Sequence, residues 1–122
     1  MKALSPFAQK VINSVLKIPR GKVATYGQIA KIAGKEHAPR GVAWILNSSS
    51  KKYKLPWHRV INSQGKISFH ELSSNFILQK ARLKKEGIMF DQTGKVDMVK
   101  FQWKAGLKQN NRLKRRQITN KS

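Results

Sequence analysis

Apolar residues at Phe7, Val11 and Val15 recur every four positions, with Ile12 and Leu16 beside them, and this pattern predicts an amphipathic helix. Ser5 followed by Pro6 supplies its N-terminal cap and first turn. Its end is expected near Ile18-Pro19, because a residue before proline avoids the helical region. The stretch "PRGKVATYGQIAKIAG" then predicts a turn, a short extended piece, a cap at Thr25, and a short helix from about Tyr26 to Ala33 closed by Gly34. Pro39 opens another helix running to about Ser49. Two short helices separated by a turn of a few residues read as a helix-turn-helix unit.

The second of these helices carries two faces. Val42, Ile45 and Leu46 form an apolar stripe suited to a core, whereas Arg40, Ala43, Trp44 and Asn47 follow the same spacing on another side. Gly41 and Ala43 are small, which permits close approach to a partner backbone and suits a helix laid against DNA. Trp44 is compatible with either a solvent-side aromatic or a DNA contact.

Further along, "SSSKKYK" reads as a polar, basic loop, and "VINSQGKIS" as a small β-hairpin around a Ser-Gln-Gly turn. Ser73 or Ser74 caps a helix carrying Phe76, Ile77, Ala81 and Leu83, closed by Gly87. Val99, Phe101 and Trp103 alternate with Lys100, Gln102 and Lys104, the pattern of a short edge strand. From Lys104 onward there are seven basic residues and no acids, so residues 104–122 are expected to be a disordered tail behind a single domain spanning 1–103. The expected fold is mainly α, a winged-helix-like helix-turn-helix domain with a small β-hairpin.

Charge changes the picture from fold to partner. Twenty-six Lys and Arg against 5 Asp and Glu give a formal net charge of +21, spread along the whole chain, and such a field draws polyanions. No stretch approaches the roughly 20 apolar residues of a membrane span. Residues 1–14 lack the apolar block of a signal peptide, so an intracellular, soluble protein is expected. The absence of cysteine excludes thiolate chemistry and disulfides. His37, His58 and His70 are not spaced as metal ligands on one helix, so neither metal nor cofactor is expected.

Several blocks in order then carry a resemblance. "GKVATYGQIA", Arg40, "PWHRVINSQGKIS" and "KKEG" are similar to the DNA-binding domain of the O6-alkylguanine-DNA alkyltransferases. It covers residues 5 to 103 and leaves out those enzymes' additional N-terminal domain. Their signature around the reactive cysteine reads Pro-Cys-His-Arg-Val, and Trp57 stands here at the cysteine position. That exchange is the hallmark of the alkyltransferase-like proteins, which bind the same lesions without repairing them.

The resemblance implies roles for particular residues. His58 and Glu86 match the relay that activates the thiolate, but an indole nitrogen offers no free lone pair for attack. Arg40 is implied to enter the base stack in place of a flipped nucleotide, and Tyr26 to crowd the neighbouring phosphate. Binding is implied to be through the minor groove, with Gly41, Ala43, Trp44 and Asn47 on the contact helix. Trp57 becomes a wall of the lesion pocket, with Pro56, His58, Val60, Tyr26 and the segment from Ser68 to Ser73 beside it. Two departures matter: Ser49 replaces the asparagine that braces the turn in the enzymes, and "FHELSS" replaces their Tyr-Ser-Gly-Gly type segment.

Taken singly, these residues have plainer readings. Trp57 fits a core aromatic, His58 a turn brace, Tyr26 a core position, and the basic tail a solvated charge run. The ordered blocks favour a monomeric, non-enzymatic binder of alkylated guanine in double-stranded DNA that directs the lesion to nucleotide excision repair proteins. The competing expectations are an alkyltransferase with another nucleophile and a general basic DNA-binding protein.

Overall fold

The structure is a computed structural model and describes residues 4–104. Helix α1 (Pro6–Leu16) begins as expected: the Ser5 hydroxyl accepts the Ala8 N–H at 3.1 Å, and Pro6 occupies the first turn. Strand β1 (Ala24–Thr25) leads directly into α2 (Tyr26–Ile32). A reciprocal capping box starts α2: Thr25 Oγ1 accepts the Gln28 N–H at 2.9 Å while Gln28 Oε1 accepts the Thr25 N–H at 3.3 Å. Gly34 follows it with φ +94°, a left-handed position that glycine fills at little cost.

Helix α3 (Pro39–Tyr53) is longer than its sequence pattern predicts, because "SSSKKY" continues it instead of forming a loop. It ends at Lys54, which takes the left-handed conformation at φ 53°. Leu55 N–H then reaches Ser50 C=O at 2.9 Å, and the buried Leu55 side chain secures this Schellman-type ending. With lysine in the place usually held by glycine, that stop had no sequence signature.

The expected hairpin is replaced by a different pairing. A 3₁₀ turn (Trp57–Arg59) leads into β2 (Val60–Ile61), which pairs parallel with β1, Ala24 opposite Val60 and Thr25 opposite Ile61. The reversal does form, with Asn62 N–H donating to Lys66 C=O at 2.9 Å, but the segment after it adds no strand among the described residues. Helix α4 (Ser74–Lys85) is capped by Ser73, whose hydroxyl accepts the Phe76 N–H at 3.2 Å, and it ends before Gly87 at φ 92°. Ile77 and Ala81 face solvent on it, while Gln79 and Leu83 are buried.

The predicted edge strand is instead a single turn, α5 (Met98–Phe101), because the Asp97 carboxylate accepts the Val99 and Lys100 N–H groups. Val99 is 84% exposed, whereas Phe101 is buried. Residues 101–103 do run beside Val23 as an isolated parallel bridge, Val23 N–H donating to Phe101 C=O and Trp103 N–H to Val23 C=O, while Phe101 packs into the core. The expected tail lies, beyond Lys104, outside the described residues.

The architecture is mainly helical around a two-stranded parallel sheet. One core packs α1, α2 and α3 through Val11, Val15, Ile29, Val42, Ile45 and Leu46, and a second joins Val23, Ile61, Leu83 and Phe101. Withdrawing each such aliphatic side chain from water contributes about 1.5–3 kcal/mol. The first core fixes α2 against α3, and the sheet ties β1, at the start of α2, to the turn carrying Trp57.

Candidate nucleic-acid interface

An open groove of about 1060 Å³ runs along the exposed side of α3. Arg40, Ala43, Trp44 and Asn47 of α3 line one side, with Ser50, Lys51 and Lys54 further along. Tyr26, Trp57, Ser68, Phe69, Asn75 and Arg82 meet them from the rest of the fold. Trp44 is 70% exposed, well beyond what a core aromatic shows. Near the same groove Tyr26 Oη and Ser68 Oγ lie 3.0 Å apart in a hydrogen bond, tying the start of α2 to the segment after β2.

Trp57 is half-buried and presents its ring to the groove. Phe69 packs edge-on to it, centroids 6.2 Å apart at 89°, and the Arg82 guanidinium lies 5.6 Å from the ring centroid. This surface is aromatic and cationic together, a combination suited to a nucleobase beside a phosphate chain.

Behind Trp57 the turn is gripped by α4. Arg59 donates from Nη2 to Glu86 Oε2 at 2.8 Å and from Nε to Oε1 at 3.0 Å, and its Nη1 reaches Ile18 C=O at 2.9 Å. His58 Nε2 and Glu86 Oε2 are 2.7 Å apart, and Gly21 N–H donates to Glu86 Oε1 at 3.0 Å. Burial pushes the Glu86 carboxyl up, but the hydrogen bonds from Arg59, Gly21 and His58 outweigh it and hold the carboxyl at about 2. Burial lowers the His58 value, and Arg59 and Arg82 add to that, overcoming the opposing pull of Glu86. In its neutral form His58 donates from Nε2 to the carboxylate, leaving a buried Nδ1 with no partner among the described residues. The relay pair is therefore in contact, with an indole where a thiolate would have to stand.

The model of the 6-O-methylguanine DNA methyltransferase, DNA binding domain matches residues 6–88. A DNA base-flipping protein of Vibrio parahaemolyticus is 41% identical over 100 residues, 82% of this chain and 98% of its own length. Alkyltransferase-like protein 1 of Schizosaccharomyces pombe is 38% identical over 105 residues, 83% of this chain and 97% of its own length. The chain belongs to the alkyltransferase-like family. The S. pombe protein Atl1, solved in complex with damaged DNA containing O6-carboxymethylguanine, superimposes on this alkyltransferase-like chain with a TM-score of 0.72 at 36% identity, covering 84% of it and 99% of Atl1. O6-methylguanine methyltransferase of Mycobacterium tuberculosis matches with a TM-score of 0.55 at 30% identity, over 69% of this chain and 50% of its own.

Of the residues singled out in the sequence, Tyr26, Arg40, Ala43, Trp44, Asn47, Trp57 and Ser68 converge on the groove of this alkyltransferase-like protein. Five others, Gly41, Pro56, His58, Val60 and Glu86, do not line it. Gly41 faces α1, where an added Cβ would lie 3.2 Å from the Phe7 ring, so its small size serves helix packing. Val60 is fully buried in the sheet, His58 is buried with Glu86, and Pro56 precedes the turn half-buried. Sequence reasoning passed over Arg59 and Arg82. Arg82 stands four residues before Glu86, which on a helix puts both on one face, so the spacing did carry a signal. Among the described residues no three His, Asp, Glu or Cys side chains gather, and no helix is long and apolar enough to cross a membrane.

Proposed function

We propose that this protein is a non-enzymatic sensor of O6-alkylguanine in double-stranded DNA, which flips the damaged nucleotide and hands the site to nucleotide excision repair. The reading rests on one observation above others: Trp57, at the alkyl-acceptor position, lines the same groove as Tyr26 and the exposed Arg40–Asn47 face of α3. The names of the base-flipping relatives and the Atl1 complex with damaged DNA point the same way.

In this mechanism α3 enters the minor groove and Arg40 occupies the gap left by the flipped base. Tyr26 crowds the adjacent phosphate. Flipping costs a few kcal/mol and is cheapest where pairing is already weakened, as it is when guanine O6 carries an alkyl group. The extruded base stacks against Trp57, an aromatic contact of about 1–3 kcal/mol, which offsets much of that cost. Chemistry stops there: the indole nitrogen's lone pair is delocalised in the ring and not free to take the alkyl group, and the chain has no cysteine. Residues 1–103 act as the DNA-binding domain, and the cations from 104 onward add phosphate attraction that fades as salt rises. Its place of action is wherever genomic DNA is held in the cell.

Paired binding measurements test this, using duplexes with and without a single O6-methylguanine at physiological salt and a methyl label on the lesion. The expected result is tighter binding to the damaged duplex, a preference that survives added salt, and label remaining on the DNA. Equal affinity for both duplexes would leave only a general basic DNA binder. Stoichiometric label on the protein would make it a transferase.

A further inference from the structure

Trp57 sits on a turn of only three residues, and the element that holds this turn is α4. Residues 79, 82 and 86 follow one another at helical spacing, and all three contact the Trp57–Arg59 turn or its flank. Arg82 lies by the indole ring and Glu86 binds the two side chains that follow it. Gln79 differs from both because it addresses the backbone.

The Gln79 side-chain amide is 1% exposed, and Nε2 donates two hydrogen bonds of 3.0 Å, one to His58 C=O and one to Val60 C=O. Carbonyls only accept, so the amide orientation is decided: its nitrogen must face them. The two bonds hold the His58–Arg59 and Val60–Ile61 peptide planes, and so bracket Arg59 at the end of the three-residue turn that begins with Trp57. Gln79 Oε1 is buried without a partner among the described residues. An aliphatic side chain in its place would leave both carbonyls without this donor, so the position calls for a group that donates twice to the turn.

We propose that Gln79 is a positioning residue for lesion recognition: its two-carbonyl clamp sets the angle at which Trp57 meets the flipped base. The inference rests on the lesion-sensor reading given above and extends it to a residue that touches neither DNA nor the groove. Affinity for undamaged DNA depends on α3 and on charge, so loss of the clamp changes selectivity and leaves general binding in place.

The test uses the full chain with Gln79→Leu, which keeps the approximate volume and removes both donors. A control substitution in the α1 core, Val15→Ala, is matched by its loss of Tm. In a Trp44→Phe/Trp103→Phe background, tryptophan emission reports Trp57 alone. Gln79→Leu is expected to lose about tenfold in the affinity ratio of O6-methylguanine duplex to undamaged duplex, and to change the acrylamide quenching of Trp57. Val15→Ala should keep both within about twofold. The proposal is overturned if Gln79→Leu keeps ratio and quenching, or if Val15→Ala loses the ratio equally. Should the unsubstituted protein show no lesion preference, the sensor reading falls on its own, and unchanged Trp57 quenching in Gln79→Leu would separately overturn the clamp.

Discussion

Arg59 and Glu86, 27 residues apart in sequence, form a forked ion pair whose side chains are only 17% and 5% exposed. The guanidinium also reaches back to Ile18 C=O, so this pair joins the end of α1, the Trp57 turn and the end of α4. Removing one partner of such a pair leaves a buried charge without compensation, at about 3–5 kcal/mol. Glu86→Ala is accordingly expected to lower the thermal midpoint by more than about 10 °C in circular dichroism melts. Glu86→Gln keeps an acceptor oxygen and should fall between the two. An unchanged midpoint in Glu86→Ala would show that the pair contributes nothing to holding the turn.

Acid should weaken the same junction. Glu86 is lowered from 4.5 to about 2 in the folded protein, so its contribution is complete above 4.5 and is lost as the pH falls towards about 2. His58 is lowered from 6.5, so the fold favours its neutral form, and that contribution begins to be lost below 6.5. Both signs agree: stability falls as the medium becomes acidic. Urea unfolding between about pH 7 and pH 3 should show a declining unfolding free energy, and Glu86→Gln should flatten its lower part. A stability that rises on acidification would contradict the arrangement around Glu86.

The elements with local signals were legible in the sequence. Ser5, Thr25 and Ser73 cap helices because their hydroxyls have nearby orphan N–H groups to accept, and such groups are announced by residue type. The groove-lining face of α3 was readable from its spacing, and the Trp57 exchange from one position. What could not be read depends on distant partners. The parallel pairing of Ala24–Thr25 with Val60–Ile61 joins strands 35 residues apart, and two-residue strands have too little alternation to display a period. Val99, Phe101 and Trp103 alternate like a strand, yet the Asp97 cap makes a helical turn of the first part. Gly41 is a related case: a small residue permits close approach, but only the packed structure shows that the Phe7 ring lies beside it.

Which neighbour Gly41 serves is testable. If Gly41 serves the contact between α1 and α3, Gly41→Leu overpacks it and destabilises the fold by about 1–3 kcal/mol. DNA affinity measured well below the midpoint, where the variant is folded, should stay within about twofold of the parent. A loss of DNA binding without a loss of stability would return Gly41 to the contact face.

Arg40 and Lys114 separate the two ways in which a basic chain can hold DNA. Arg40 is exposed beside the groove that contains Trp57, in the first turn of α3, where the helix dipole does not favour a cation. A positive charge placed there without an electrostatic benefit to the helix is better explained by a partner. Lys114 belongs to the basic run beyond the described residues and is expected to contribute only charge. If Arg40 fills the gap of a flipped base as proposed, Arg40→Ala should weaken binding to O6-methylguanine duplex more than to undamaged duplex. Lys114→Ala should weaken both equally and reduce the slope of log affinity against log salt by about 1. Fluorescence anisotropy titrations at several salt concentrations distinguish these patterns. If Lys114→Ala lost the lesion preference and Arg40→Ala kept it, α3 would no longer be the helix that reads the damage.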